Sequence, residues 1–105
     1  MEENFTYRPL PENCTIKESN IEGIGLFATE DIPINFNFGI THHWLDNQFK
    51  EAIRTPLGGF INHSINPNCF IVDDRKVRTL YSVRKINKGE EIVVYYKLNK
   101  RSYPY

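Results

Sequence analysis

GGFINHSINPNCF, residues Gly58 to Phe70, sets a histidine, a serine, three asparagines, a proline and a cysteine between two phenylalanines. A solvated loop has no use for such an apolar frame. Asn62, Asn66 and Asn68 can bond neighbouring backbone while Pro67 fixes a turn, so the stretch can be irregular, buried and still satisfied. A hairpin loop is the plain alternative. The rest of the chain decides between the two.

Working outward, strand-like stretches recur at Cys14–Lys17, Gly25–Thr29, Asn35–Ile40, Phe70–Val72, Val77–Arg84 and Glu91–Tyr96. Each is short, rich in β-branched or aromatic residues, and bounded by turn chemistry such as Asp31-Ile32-Pro33 or Asn87-Lys88-Gly89. This spacing predicts a mostly β domain with tight hairpins. One segment differs. Leu45, Phe49, Ala52 and Ile53 fall at helical spacing, which predicts a short amphipathic helix over residues 43–54 ended by Pro56. Leu26, Phe27, Ala28 and Ile32 echo Leu80, Tyr81, Ser82 and Ile86 at an offset of 54. Four similar positions are too few to call a repeat, but they predict two strand-turn units of like shape.

The chain has 105 residues, 40% of them hydrophobic, which suits a single domain over 1–105. Thirteen basic and thirteen acidic residues give no net charge, which argues against a general phosphate-backbone binder. Residues 1–31 nevertheless hold seven acids against two bases, and residues 75–101 nine bases against two acids. Solvated strand faces explain this; an acidic side that attracts a basic peptide is the sharper reading. No apolar run reaches the ~18 residues of a membrane span, and the start lacks the order of a signal peptide. The expectation is an intracellular protein with no membrane or direct nucleic-acid partner. On that view the sequons at Asn4, Asn13 and Asn62 are chance and Cys14 and Cys69 are buried small residues rather than a disulfide.

Familiar catalytic patterns are absent. Gly23-Ile24-Gly25 lets backbone turn sharply or approach a ligand closely, but it lacks the third glycine of a dinucleotide fingerprint. His42 and His43 are adjacent and point apart, and His63 and Cys69 lie six apart across a proline, so no metal site is expected. Ser64 beside His63 is no triad signature.

In combination, Gly23-x-Gly25 followed by Leu26-Phe27-Ala28, FINHSINPNC (Phe60–Cys69) and GEEIVVYY (Gly89–Tyr96) resemble the SET-domain family of protein lysine methyltransferases. The likeness spans roughly Ile16 to Lys97, with 98–105 as a tail or lid. It looks nearest to the short stand-alone members of viruses and bacteria. The resemblance implies a β-clip-like SET fold of small curved sheets, with one short helix and a pseudoknot-like crossing. In that crossing Asn62–Cys69 threads beneath the segment leading to Tyr96, with Phe60 and Phe70 anchoring its ends.

It also implies an S-adenosylmethionine-dependent enzyme that methylates a lysine of a basic peptide such as a histone tail. Gly23, Ile24 and Gly25 would then lie against the methionine part of the cofactor, Asn62 would bond its amino-acid end, and the His63 backbone would meet the adenine edge. Tyr96 falls at the family's catalytic tyrosine, with Tyr95 its competitor. Tyr103 would stack over adenine, and Trp44, Phe49, Phe70 and Tyr81 would wall the lysine channel. A histone substrate implies a nucleus or host cell nucleus, any other the cytoplasm. So small a chain would gain from a homodimer.

Two departures stand out. No C-x-C-x₄-C follows Tyr96 in these 105 residues, so the zinc module of many relatives is not expected here. No tyrosine lies between Tyr7 and Tyr81, where relatives often place an aromatic hydroxyl. That gap keeps a rival reading open, a non-catalytic SET-like interaction module.

Overall fold

Along Val77–Ser82 the side chains alternate between half-buried and buried, the period-two pattern of a strand with one face in a core. The computed structural model of the chain describes residues 10–46 and 50–95. Within them the order is β1 (Cys14–Glu18), β2 (Ile24–Ala28), β3 (Asn37–Trp44), β4 (Ala52–Arg54), α1 (Pro56–Gly59), β5 (Asn62–His63), β6 (Cys69–Asp73), β7 (Val77–Ser82) and β8 (Glu91–Val94). They form two four-stranded sheets, ordered β1-β2-β8-β5 and β4-β3-β7-β6.

Two antiparallel hairpins organise the sheets. In β1–β2, Cys14 opposes Ala28. In β6–β7, Cys69 opposes Ser82. Each hairpin then sends its next strand to the other sheet. β3 pairs with β7, setting Asn37 opposite Tyr81. β8 pairs with β2, setting Glu91 opposite Phe27. Between the exchanged strands, Ile32 N–H donates to Ile86 O at 2.7 Å and Ile86 N–H returns the bond at 2.8 Å.

The echo at an offset of 54 is therefore real in three dimensions. Leu26 and Leu80, Ala28 and Ser82, Ile32 and Ile86, and Phe38 and Ile92 are all buried, each pair filling matched places in one core. The turns match as well. Asn35 has φ +64° and Gly89 +93°, the left-handed conformation that asparagine tolerates and glycine adopts freely.

Within the segment 43–54 the described residues, 43–46 and 50–54, are not helical, contrary to the apolar spacing. β3 runs to Trp44 and β4 returns beside it, with His43 opposite Ile53 and Trp44 opposite Ala52. Leu45 and Ile53, two members of the supposed core stripe, are each 55% exposed. Strand pairing between β3 and β4 claims these residues instead, and tertiary context overrides the local pattern. Pro56, read as a terminator, instead opens the one turn of α1, capped by the Thr55 hydroxyl accepting from Gly58 N–H. Gly58 is required there: a Cβ would overlap the Thr41 carbonyl of β3.

Candidate functional site

The stretch that opened the sequence crosses from one sheet to the other while gripping β8. β5 lies parallel to β8, with Asn62 opposite Val93 and His63 opposite Val94. Ser64 N–H then donates to Val94 O at 2.9 Å. Asn68, fully buried, uses its carboxamide as a substitute strand: Nδ2 donates to Glu91 O at 2.8 Å and Oδ1 accepts from Val93 N–H at 3.0 Å. The next residue begins β6 of the second sheet. β8 is thus enclosed by β2 on one side and by the 62–68 segment on the other. The polar cluster is buried because it satisfies an enclosed strand.

At the start of β8 a compact polar knot joins three parts of the chain. Asn62 Nδ2 lies 2.8 Å from Glu91 Oε2, 3.1 Å from Ser19 Oγ and 3.1 Å from Glu22 O. The Ser19 hydroxyl donates to the Glu91 carboxylate, 2.8 and 2.9 Å from its two oxygens. Ser19 Oγ also accepts from Ile21 N–H at 2.9 Å, which shapes the β1–β2 turn. Gly23 closes that turn with φ +49°. Gly25 is constrained by space: a Cβ there would overlap the Glu91 carboxylate and approach Ser19 Cβ to 3.0 Å.

Among the expected cofactor residues, Gly23, Gly25 and Asn62 are brought together here. Ile24, between the glycines, is 46% exposed. His63 follows on β5, its ring 5.0 Å from that of Tyr95 at 35°. Tyr96, Tyr103 and Phe49 lie outside the described residues.

The expected channel walls separate. Phe70 and Tyr81 stack at 5.6 Å on the second sheet, opposite the Asn37 end of β3. Trp44 ends the same strand, roughly 20 Å away by strand rise. There its Nε1 donates to Asp73 Oδ1 at 3.0 Å and its ring lies 5.1 Å from the buried Arg78 guanidinium, which also pairs with Asp73 at 3.6 Å.

Sequence reasoning missed Ser19 and Glu91. A serine followed by Asn-Ile-Glu-Gly is a turn signal, and Glu91 stood in the quoted motif without a role. Only the fold brings a residue before Gly23 against one 72 positions later.

Away from the knot, Cys14 and Cys69 are free, buried thiols, and burial pushes both up to about 12. His42, buried in β3, is pushed down to about 4 by burial and then by the Arg78 and Arg54 charges, with Asp73 opposing. No described residues form a group of three or more potential metal ligands.

The SET domain family pattern matches residues 35–97. An H3 lysine-36-specific histone-lysine N-methyltransferase of Gibberella zeae is 40% identical over 84% of this chain, which covers 13% of that protein. The corresponding Candida albicans enzyme is 46% identical over 52% of the chain and 7% of its own length, and the Drosophila melanogaster histone-lysine N-methyltransferase trr 32% over 83% and 5%. The chain thus spans only 7% to 13% of the first curated relatives it matches. These relatives are large fungal and animal proteins, so the expected likeness to short viral and bacterial members finds no support. Among solved structures, the methyltransferase domain of human PR domain-containing protein 2 aligns with TM-score 0.69 at 18% identity, over 89% of this chain and 82% of that one. A Plasmodium falciparum protein described as a histone methyltransferase aligns with TM-score 0.67 at 20% identity, over 83% and 95%. With two exchanged hairpins, an enclosed β8 and a family match over more than half its length, the chain belongs to the SET-domain family.

Proposed function

We propose that this chain is an S-adenosylmethionine-dependent protein-lysine N-methyltransferase acting on a basic peptide such as a histone tail. The observation that carries the reading is the knot itself. It holds the Gly23–Gly25 turn, Asn62 and the first residue of β8 together at one edge of the enclosed strand. The turn offers backbone without side-chain cover at Gly23, where even a Cβ would meet nothing within 4 Å. Asn62 keeps its Oδ1 without a donor among the described residues. A turn of bare backbone beside a free amide oxygen suits the amino-acid end of the cofactor, and the backbone of His63 stands next along β5 for the adenine edge.

The cofactor supplies an electrophilic methyl group on a sulfonium. The chain's own task is to deliver a neutral amine in line with it. A free lysine has a pKa of about 10.4, so the neutral form costs about 4.6 kcal/mol at about pH 7. An apolar, aromatic-walled passage lowers that cost by disfavouring the ammonium. Tyr96 is the proposed hydroxyl that orients the amine, with Tyr95, packed on His63, its competitor. A histone substrate would place the protein in the nucleus, another substrate in the cytoplasm. A second copy would complete the peptide groove, which sedimentation would detect.

The test is transfer of labelled methyl groups to a mixed library of lysine peptides by the wild type, Tyr96→Phe and Tyr95→Phe. Transfer lost only in Tyr96→Phe supports the assignment. Tight peptide binding with no transfer by the wild type favours the interaction module, as the lack of a tyrosine between Tyr7 and Tyr81 would allow.

A further inference from the structure

We infer that Glu91 is a positioning residue that fixes which face of Asn62 a ligand meets; the inference rests on the methyltransferase reading of that asparagine. Asn62 Nδ2 faces the Glu91 carboxylate at 2.8 Å and the Glu22 carbonyl at 3.1 Å. The carboxylate and the carbonyl can only accept hydrogen bonds, and the third neighbour, Ser19 Oγ at 3.1 Å, already gives its proton to Glu91, so turning the carboxamide over would set Oδ1 against acceptors. The Ser19 hydroxyl holds the carboxylate at 2.8 Å and the bare Gly25 admits it. The amide is therefore locked with Oδ1 outward, and the ligand group it recognises is an N–H donor. With the Glu91 charge directly behind, a cationic ammonium is favoured and a carboxylate is repelled. Asn62 thus reads the amino group and not the carboxylate of the cofactor's amino-acid end. The second sheet offers a built-in contrast. Asn37, the residue matched to Glu91, carries no charge, and Thr79 stands where Gly25 would be.

The test has one arm without cofactor and one with it. In ¹⁵N-labelled protein alone, the two Nδ2 protons of Asn62 should be well separated and slow to exchange. Glu91→Ala should collapse them toward the values of a solvated amide while the rest of the spectrum stays folded. By calorimetry, S-adenosylmethionine should bind Glu91→Ala about tenfold more weakly and Ser19→Ala about threefold, the size of losing one charge-assisted hydrogen bond or part of one. Asn62→Asp should lose affinity by setting two carboxylates together, and adding Glu91→Gln, which supplies a donor to the new acid, should restore it to within about tenfold of the wild type. A purely structural role would not produce that rescue. Unchanged Asn62 resonances in Glu91→Ala, or no rescue in a folded double variant, would overturn the inference. Failure of the wild type to bind the cofactor would sink the methyltransferase reading instead, and the resonances would still decide what Glu91 does.

Discussion

Asn13-Cys14 and Asn68-Cys69 hold equivalent places in the two halves of the molecule, and they do different work. Each dipeptide opens a hairpin, and each asparagine carbonyl accepts a strand-end amide, from Thr29 at 2.8 Å and from Val83 at 2.9 Å. Both cysteines are buried. The side chains of the asparagines then diverge. Asn13 Oδ1 is met by the neighbouring thiol at 3.4 Å, whereas Asn68 closes the backbone of β8 with two bonds. The hairpin loops diverge too. Residues 74–76 make a tight turn around the Asp74 carboxylate, which accepts from Lys76 and Val77 amides and is held below the usual carboxylate range by them. Residues 19–23 make a longer turn that turns inward to Asn62 and Glu91. The shared parts build the core; the candidate site lies where the halves stop matching.

Making the halves alike at the site should do the most damage. Gly25→Thr copies Thr79 and drives a side chain into the Glu91 carboxylate. S-adenosylmethionine affinity by calorimetry should fall by well over tenfold, and the reciprocal Thr79→Gly should leave affinity within about twofold while costing about 1 kcal/mol as a strand glycine. Asn68→Ala strands a buried carbonyl and a buried amide of β8, so urea unfolding should show a loss of about 3 kcal/mol, against under about 1 kcal/mol for Asn13→Ala. Ser82→Ala, which copies Ala28, removes a buried hydroxyl that donates to Pro33 O at 2.6 Å and accepts from Phe36 N–H at 2.8 Å. The expected cost is about 1–2 kcal/mol in the same assay.

His42 belongs to the second sheet only, which gives that sheet a pH dependence. Its folded value of about 4 lies below the ordinary 6.5, so acid favours the unfolded chain. The contribution is complete above pH 6.5 and is lost as pH falls toward 4. The urea midpoint should drop across that window, and more steeply than in His42→Gln. The smallest effect is a symmetric one. With both thiols pushed up to about 12, neither Cys14 nor Cys69 should react with a thiol reagent at neutral pH until the protein is unfolded, when both should react together.

Six strands were legible because their β-branched residues sit between strong turn signals, and the matched units showed faintly in Leu26 and Leu80 or Ile32 and Ile86. The family was legible in the motif around Asn62 and in Glu90-Glu91. β4 and β5 were not, since three-residue and two-residue strands leave no period to read. The helix over 43–54 failed because local spacing cannot register that β4 folds back onto the end of β3, setting Ile53 opposite His43 and Ala52 opposite Trp44. Ser19 and Glu91 were hidden for another reason: hydrogen-bond partners so distant in sequence become neighbours only through the exchange of strands. Where Trp44 sits was equally hidden, since Asp73 and Arg78, which hold it at the other end of β3 from Phe70 and Tyr81, reach it only through strand pairing.

The exchange of β3 and β8 between hairpins has a consequence for how the molecule is made. Neither hairpin owns the strand that completes its sheet, so a nascent chain emerging from the ribosome must hold β1–β2 half-finished until residues 91–94 arrive. Such late, distant closure predicts slow folding and a need for chaperone cover of the waiting edge of β2. It also means that the candidate site and the finished core are born in the same step.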